Sequence, residues 1–246
     1  MTNYRMEKLF TAEWIIISRI CRFRDYWRKK GISSHVLMFH DVYIEKDRTS
    51  ESNYAISAEE IEKIIIWHNN RKYEFISVDD MLDKSPLPSR QCIITFDDGK
   101  NNIEFALPIL HKYKIPFCIY IITSKIGEEG YLTEKQLRSL SKDPLCTIGS
   151  HTHTHPYTRY LNKVQLLEEM TTSKECLEKI LEKEVSHFAF PYGTVISSSY
   201  FDSRYVQQAG YKSAAFTTQI PLSSKKIYPF HIPRFDASRK NILEVL

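Results

Sequence analysis

Phe117-Cys118-Ile119-Tyr120-Ile121-Ile122 is an apolar run without a break. A strand with one wet face alternates polar and apolar side chains, so a continuous run fits a parallel strand buried on both faces and covered by helices. The flanking sequence offers such neighbours. Upstream, 92–96 is a second apolar run, joined to the first by Ile103, Ala106, Leu107, Leu110 and Tyr113 at helical spacing, with Pro108 in that helix's first turn or at a kink. Further upstream, 36–39 leads through a polar loop to Ser57-Ala-Glu-Glu60, a capping box that opens a helix with Ile61, Ile64, Ile65 and His68 on one face, and 75–78 is a short run after it.

Downstream the alternation continues. Thr133-Glu-Lys-Gln136 caps a short helix carrying Leu137 and Leu140, and 147–150 reads as a strand end. A long helix over about 163–183 turns Leu166, Met170, Leu177 and Leu181 inward; then come 187–190, a helix ending near Gly210, and 211–217. Repeated strand and helix in this order predicts an α/β fold with a parallel sheet, doubly wound or closed as a barrel. No repeat or second domain breaks the pattern.

Composition agrees with that class. With 246 residues, 42% hydrophobic and 26% charged, the chain is neither a disordered tail nor a fibre nor a disulfide-dense miniprotein. The net charge of +4 is local: residues 1–30 carry eight bases and three acids, a net +5, which leaves −1 for the rest. A nucleic-acid binder would show a basic stripe interleaved with aromatics, and nothing after residue 30 offers one. Five widely spaced cysteines without a CxxC pair predict free thiols rather than a disulfide framework. No apolar run reaches the roughly 20 residues that span a bilayer, and no signal-peptide pattern is present. A cytoplasmic protein is the expectation. Within residues 1–30, Phe10, Trp14, Ile17 and Cys21 could form an apolar stripe beside Arg19, Arg22, Arg28, Lys29 and Lys30. That pattern suits an interfacial helix at the inner membrane face, although a helix capping the barrel bottom is the commoner arrangement.

Active sites of parallel α/β folds gather at the carboxyl ends of strands. Four polar clusters follow apolar runs: His40-Asp41, Asp97-Asp98-Gly99, His151-Thr-His153-Thr-His155-Pro156, and Pro191-Tyr192-Gly193. Asp-Gly alone is a common turn, but two adjacent carboxylates repel unless a cation is near, and they can then divide the work of holding metal and proton. Three alternating histidines could complete such a site. An extended segment would pair His151 with His153, whereas a turn would pair His151 with His155, and spacing does not choose.

Thr95-Phe96-Asp97-Asp98-Gly99, followed by His151-Thr152 and, two residues on, His155-Pro156, resembles the first two signature motifs of the polysaccharide deacetylases, carbohydrate esterase family four. Phe190-Pro191-Tyr192-Gly193 is similar to the third, and the resemblance runs from about residue 36 to the end. It implies a distorted (β/α) barrel, TIM-like with about seven strands, forming one catalytic domain over 36–246 behind a basic amphipathic extension over 1–35. It implies a divalent metal held by Asp98, His151 and His155, with Asp97 as catalytic base and the backbone N–H of Tyr192 on the oxyanion. Zinc is the first expectation, with cobalt, nickel or iron as alternatives. Val36-Leu-Met-Phe-His40-Asp41-Val42 has the character of the motif that carries the family's general acid, as in circularly permuted relatives that deacetylate poly-N-acetylglucosamine. His40 is assigned that role, with Asp41 as its partner. Ala189 stands where many relatives have an arginine beside the base, and Arg234 is the substitute. The implied function is a metal-dependent hydrolase removing N-acetyl groups from an amino sugar in a glycan or glycan precursor. Hydrolysis of another C–N amide or imide bond, or a catalytically silent sugar-binding module, are the competing readings.

Overall fold

Among the described residues nine strands, most of them formed by the apolar runs above, stand side by side around one axis. The computed structural model describes residues 33–44, 54–84 and 86–238; the basic extension, and the membrane or barrel-capping helix expected in it, lie outside the described residues. The chain order is β1 (His35–Phe39), β2 (Asp41–Tyr43), β3 (Ala55–Ser57), α1 (Ala58–Asn70), β4 (Glu74–Phe75), α2 (Val78–Asp83), β5 (Gln91–Phe96), α3 (Leu107–Lys112) and β6 (Phe117–Ile121). It continues with α4 (Glu134–Leu140), β7 (Cys146–Ser150), α5 (Lys163–Leu181), β8 (His187–Ala189), α6 (Ser203–Gln208), β9 (Ser213–Phe216), β10 (Ile232–Pro233) and β11 (Phe235–Asp236).

Neighbours in the sheet follow the order β10-β9-β8-β7-β6-β5-β1-β11, with β4 beside β5, and every pairing along it is parallel. The two ends of this path are consecutive in sequence. Ile232 and Pro233 pair with Ala215 and Phe216 of β9, while Phe235 and Asp236 pair with Leu37 and Met38 of β1, so one bent segment joins both edges with Arg234 at the bend. The result is a nearly closed, TIM-like barrel.

Side chains alternate across each strand. On β5, Cys92, Ile94 and Phe96 face outward into a layer shared with Ile61, Ile65, Leu110, Leu166 and Met170 of the helices. Ile93 faces inward with Val36, Cys118, Tyr120, Ala189 and Ala215, and α2 adds Val78 and Met81 to this inner cluster. Burying each such Ile or Leu contributes about 1.5–3 kcal/mol, which is why unbroken apolar runs are needed here.

Three expectations change. The run at 75–78 divides: Phe75 pairs with Cys92, but Ser77 caps α2, accepting from the Asp80 N–H while Asp80 accepts from the Ser77 N–H. Aspartate performs the task that glutamate or glutamine has in the usual box. The polar loop after β1 contains a parallel ribbon, β2 against β3, and the helix read from Ile103 to Tyr113 opens as a 3-10 turn, Asn101–Phe105, with Pro108 in the first turn of α3. Among the described residues no helix is long and apolar enough to cross a membrane.

Candidate metal and catalytic site

The site forms where β1, β5, β7 and β8 end and the closing segment bends. Past β5, the Asp97 N–H bonds to the Phe39 carbonyl at 2.9 Å, which extends the parallel ladder by one residue. Asp98 and Gly99 then take left-handed backbone, φ 70° and 73°. That is ordinary for glycine and uncommon for aspartate, and it sends the two neighbouring carboxylates to different partners. Asp97 is 3% exposed and receives both arms of Arg234: Nη1 donates to Oδ1 at 2.6 Å and Nη2 to Oδ2 at 2.7 Å. Arg234 is fully buried, also donates to Thr95 Oγ1 at 3.3 Å, and sits 5.3 Å above the Tyr120 ring. Such fork-on-fork geometry is the strong form of the ion pair. Burial by itself would raise the Asp97 carboxyl, but the guanidinium, aided by His151, outweighs it and holds the group at about 2.

Asp98 turns to the histidines. Its Oδ1 lies 3.4 Å from His155 Nε2 and 3.7 Å from His151 Nε2, and one ligand atom from each of the three residues falls within a 4.8 Å group. His151 Nδ1 donates to the Ala189 carbonyl at 2.8 Å, which fixes the tautomer and leaves Nε2 with its lone pair toward Asp98. Burial first, opposed by Asp97 and Asp98, lowers the His151 ring; burial and then His151 lower His155 to about 3. Both rings are neutral near pH 7, the form that binds metal. Two imidazoles and a carboxylate converging without a protein ligand between them fit a hydrolytic divalent-metal site with room for water. The donor set fits zinc, cobalt, nickel or iron and does not select among them.

The loop after β7 explains the pairing that spacing left open. Thr152 and His155 both have left-handed backbone, φ 67° and 63°, and the His155 N–H bonds to Thr152 Oγ1 at 3.0 Å. The chain therefore turns, bringing His155 back to His151, with ring centroids 4.9 Å apart. His153 leaves the site and meets Thr123 Oγ1 through Nδ1 at 2.9 Å. Glu169 of α5 secures the loop by accepting from the N–H groups of His153 and Thr154, at 2.9 and 2.8 Å. The Thr154 hydroxyl donates to it as well, and nothing in the sequence pattern singled out Glu169, because two of its three contacts are to backbone.

Tyr192, also left-handed at φ 60°, lays its ring against His155 and stacks on Tyr157 at 4.3 Å and 11°. The Tyr192 N–H makes no hydrogen bond within the described residues. His40 stands at the end of β1, half-buried, its ring 5.1 Å from that of Tyr54 and near enough to Asp97 and His155 to act on both electrostatically. Its Nδ1 is buried without a hydrogen-bond partner among the described residues. Asp41, expected to assist it, begins β2 and accepts from Asn102 Nδ2 at 3.2 Å, and among the described residues no hydrogen bond joins it to His40.

A family model for polysaccharide deacetylase matches residues 84–214, just over half of the chain. The poly-beta-1,6-N-acetyl-D-glucosamine N-deacetylase of Staphylococcus aureus is 30% identical over 169 residues, covering 62% of this chain and 58% of that protein. The chain thus spans less than two thirds of that relative's length. Among solved structures, IcaB from Ammonifex degensii has a TM-score of 0.72 at 22% identity, over 83% of this chain and 91% of that one. The Streptococcus pyogenes deacetylase PplD in complex with acetate gives 0.70 at 23%, over 82% and 91%. At such identities the two structures speak for the fold, and the family model covers β5 through β8, the strands that end in Asp97, Asp98, His151 and Tyr192. The chain belongs to the polysaccharide deacetylase family.

Proposed function

We propose that the protein is a metal-dependent N-deacetylase acting on an N-acetylated amino sugar in a glycan or glycan precursor. The observation that carries this reading is the division of labour between adjacent carboxylates. Asp97 is buried, ionised and held by Arg234, while Asp98 joins two neutral imidazoles. Hydrolysis of an amide needs both: a group that takes a proton from water, and donors for an electrophilic ion. Asp98, His151 and His155 would hold that ion, zinc first. When bound, it supplies Lewis acidity, lowering the pKa of a water and polarising the acyl oxygen.

The chain's own groups do the rest. Asp97 keeps acceptor lone pairs beyond those used by Arg234 and takes the proton of the attacking water. Arg234 holds the carboxylate in place and ionised across the working pH range. The unbonded Tyr192 N–H serves the developing oxyanion. His40, with Nδ1 unpartnered among the described residues, donates to the departing amine, which leaves poorly unless protonated. The stacked Tyr157 and Tyr192, both substantially exposed, offer a flat face beside the site on which a sugar ring can lie.

The S. aureus relative is named for poly-beta-1,6-N-acetyl-D-glucosamine, which makes β-1,6-linked N-acetylglucosamine oligomers the first substrates to try. Zinc-loaded protein is expected to release acetate from such oligomers, and Asp97→Asn to abolish the release. If loaded protein frees acetate from no acetamido sugar, the reading is wrong.

A further inference from the structure

A second convergence of metal-ligating atoms lies at the opposite end of the barrel. His35 opens β1, Cys92 is its register partner on β5, and His68 projects from α1; all three are fully buried. A nitrogen of each ring and the Cys92 sulfur lie within 4.8 Å of one another. At about 3.3 Å per residue, His35 is about 16 Å along β1 from His40, so this group is separate from the site above.

Its hydrogen bonding does not close with the protons available. His35 Nδ1 lies 3.1 Å from the Ser33 carbonyl, and His68 Nδ1 lies 2.7 Å from the Ile64 carbonyl. A carbonyl only accepts, so each contact requires N–H on Nδ1. In neutral imidazoles that uses the one proton of each ring and leaves both Nε2 atoms with lone pairs. Those atoms face each other at 2.8 Å. Three contacts need three protons, and two neutral rings carry two. A histidinium could supply the third, but burial opposes it: desolvation, and for His35 the neighbouring His68, hold both rings well below the ordinary imidazole value. The surroundings are aromatic, with Tyr73 against both rings and Phe235 and Phe75 beside them. A cation between the lone pairs resolves the conflict, and the nearest remaining donor is a thiol.

We propose that His35 Nε2, His68 Nε2 and Cys92 Sγ form a second, structural metal site for a soft transition-metal ion, zinc(II) or copper(I). Thiolate and imidazole are the donors those ions prefer. Binding breaks the Cys92 S–H bond and forms a metal–sulfur bond; the proton leaves to solvent, and no oxidation state changes. With metal–nitrogen bonds of about 2.0–2.1 Å, tetrahedral donors stand about 3.3 Å apart, so the two Nε2 atoms need to separate by about half an ångström. Such an ion would pin α1 to β1 and β5, the face of the barrel where side chains serve stability rather than chemistry.

The sulfur makes the test selective, because Asp98, His151 and His155 offer none. The full chain is stripped of metal, reloaded with zinc or, without oxygen, with a copper(I) complex, and studied by X-ray absorption at the metal edge alongside metal counting. The expected result is two ions per chain for at least one metal and a sulfur neighbour at about 2.3 Å. Cys92→Ala and His68→Gln should each reduce two ions to one and remove the sulfur signal. Only nitrogen and oxygen neighbours in the wild-type protein with both metals, or a sulfur signal that survives Cys92→Ala, would overturn the proposal.

Discussion

Replacing Arg234 with methionine removes the guanidinium and leaves Asp97 buried. Burial is the largest influence on that carboxyl, and Arg234 is the largest influence against it. Breaking one side of a buried pair typically costs about 3–5 kcal/mol, since the remaining charge loses its compensation. For a chain of this size each kcal/mol shifts Tm by roughly 2–4 °C, so Arg234→Met should melt about 6–20 °C lower. The pH dependence should reverse as well. In the wild-type protein the carboxyl sits at about 2, below its unfolded value of about 3.9, so the pair's contribution is complete above about pH 3.9 and is lost as pH falls toward 2. In the variant, burial lifts the carboxyl above its unfolded value, and stability is then lost as pH rises through that range. Thermal melts of metal-free wild-type, Arg234→Met, Asp97→Asn and the double variant between pH 3 and 8 test this. The double variant should be less destabilised than the sum of the singles by about 1–3 kcal/mol. Additive singles, or an Arg234→Met protein melting within about 1 °C of wild type at pH 7, would refute the reasoning.

Glu169→Ala frees the His153 and Thr154 amides and should weaken zinc binding about 10- to 100-fold by calorimetry, with little change in melting temperature of the metal-free chain. Gly193 has φ 59°, and a Cβ there would lie 2.6 Å from the Thr217 nitrogen, a backbone atom that cannot swing aside. Gly193→Ala should therefore displace Tyr192 and lower kcat for acetate release by at least tenfold, read in steady-state kinetics. Ile65→Ala, in the outer layer and away from the site, should cost about 2–5 kcal/mol in denaturant unfolding while leaving kcat unchanged below the melting transition.

The barrel was legible wherever strands are buried on both faces. The run at 117–122 and its counterparts at 92–96 and 187–190 can hardly be anything else once helical patterns separate them, and they became β6, β5 and β8. The closing segment was not legible, because Ile232-Pro-Arg-Phe-Asp236 has two residues on each side of a buried arginine and a proline within it. Its strand character comes from the two edges it joins. Likewise the pairing of His151 with His155 depends on left-handed Thr152 and His155, a backbone state that no local preference of threonine demands. The family resemblance supplied that pairing and showed that an arginine was missing at Ala189; Arg234, 137 residues from Asp97, followed only from the geometry of a barrel mouth that a late residue can cross. The His35–His68–Cys92 group escaped notice for a related reason: Cys92 reads as a strand residue and His68 as a core position of α1, while His35 stands just ahead of the run at 36–39 and joins β1 only in the fold.

The metal centre is where fold, pairing and chemistry meet, and anomalous X-ray scattering at the zinc edge from crystals of the zinc-loaded protein tests it most directly. The account predicts a peak about 2.0–2.2 Å from Asp98 Oδ1, His151 Nε2 and His155 Nε2. A peak ligated by His153, or no peak at the barrel mouth in protein that releases acetate, would contradict it.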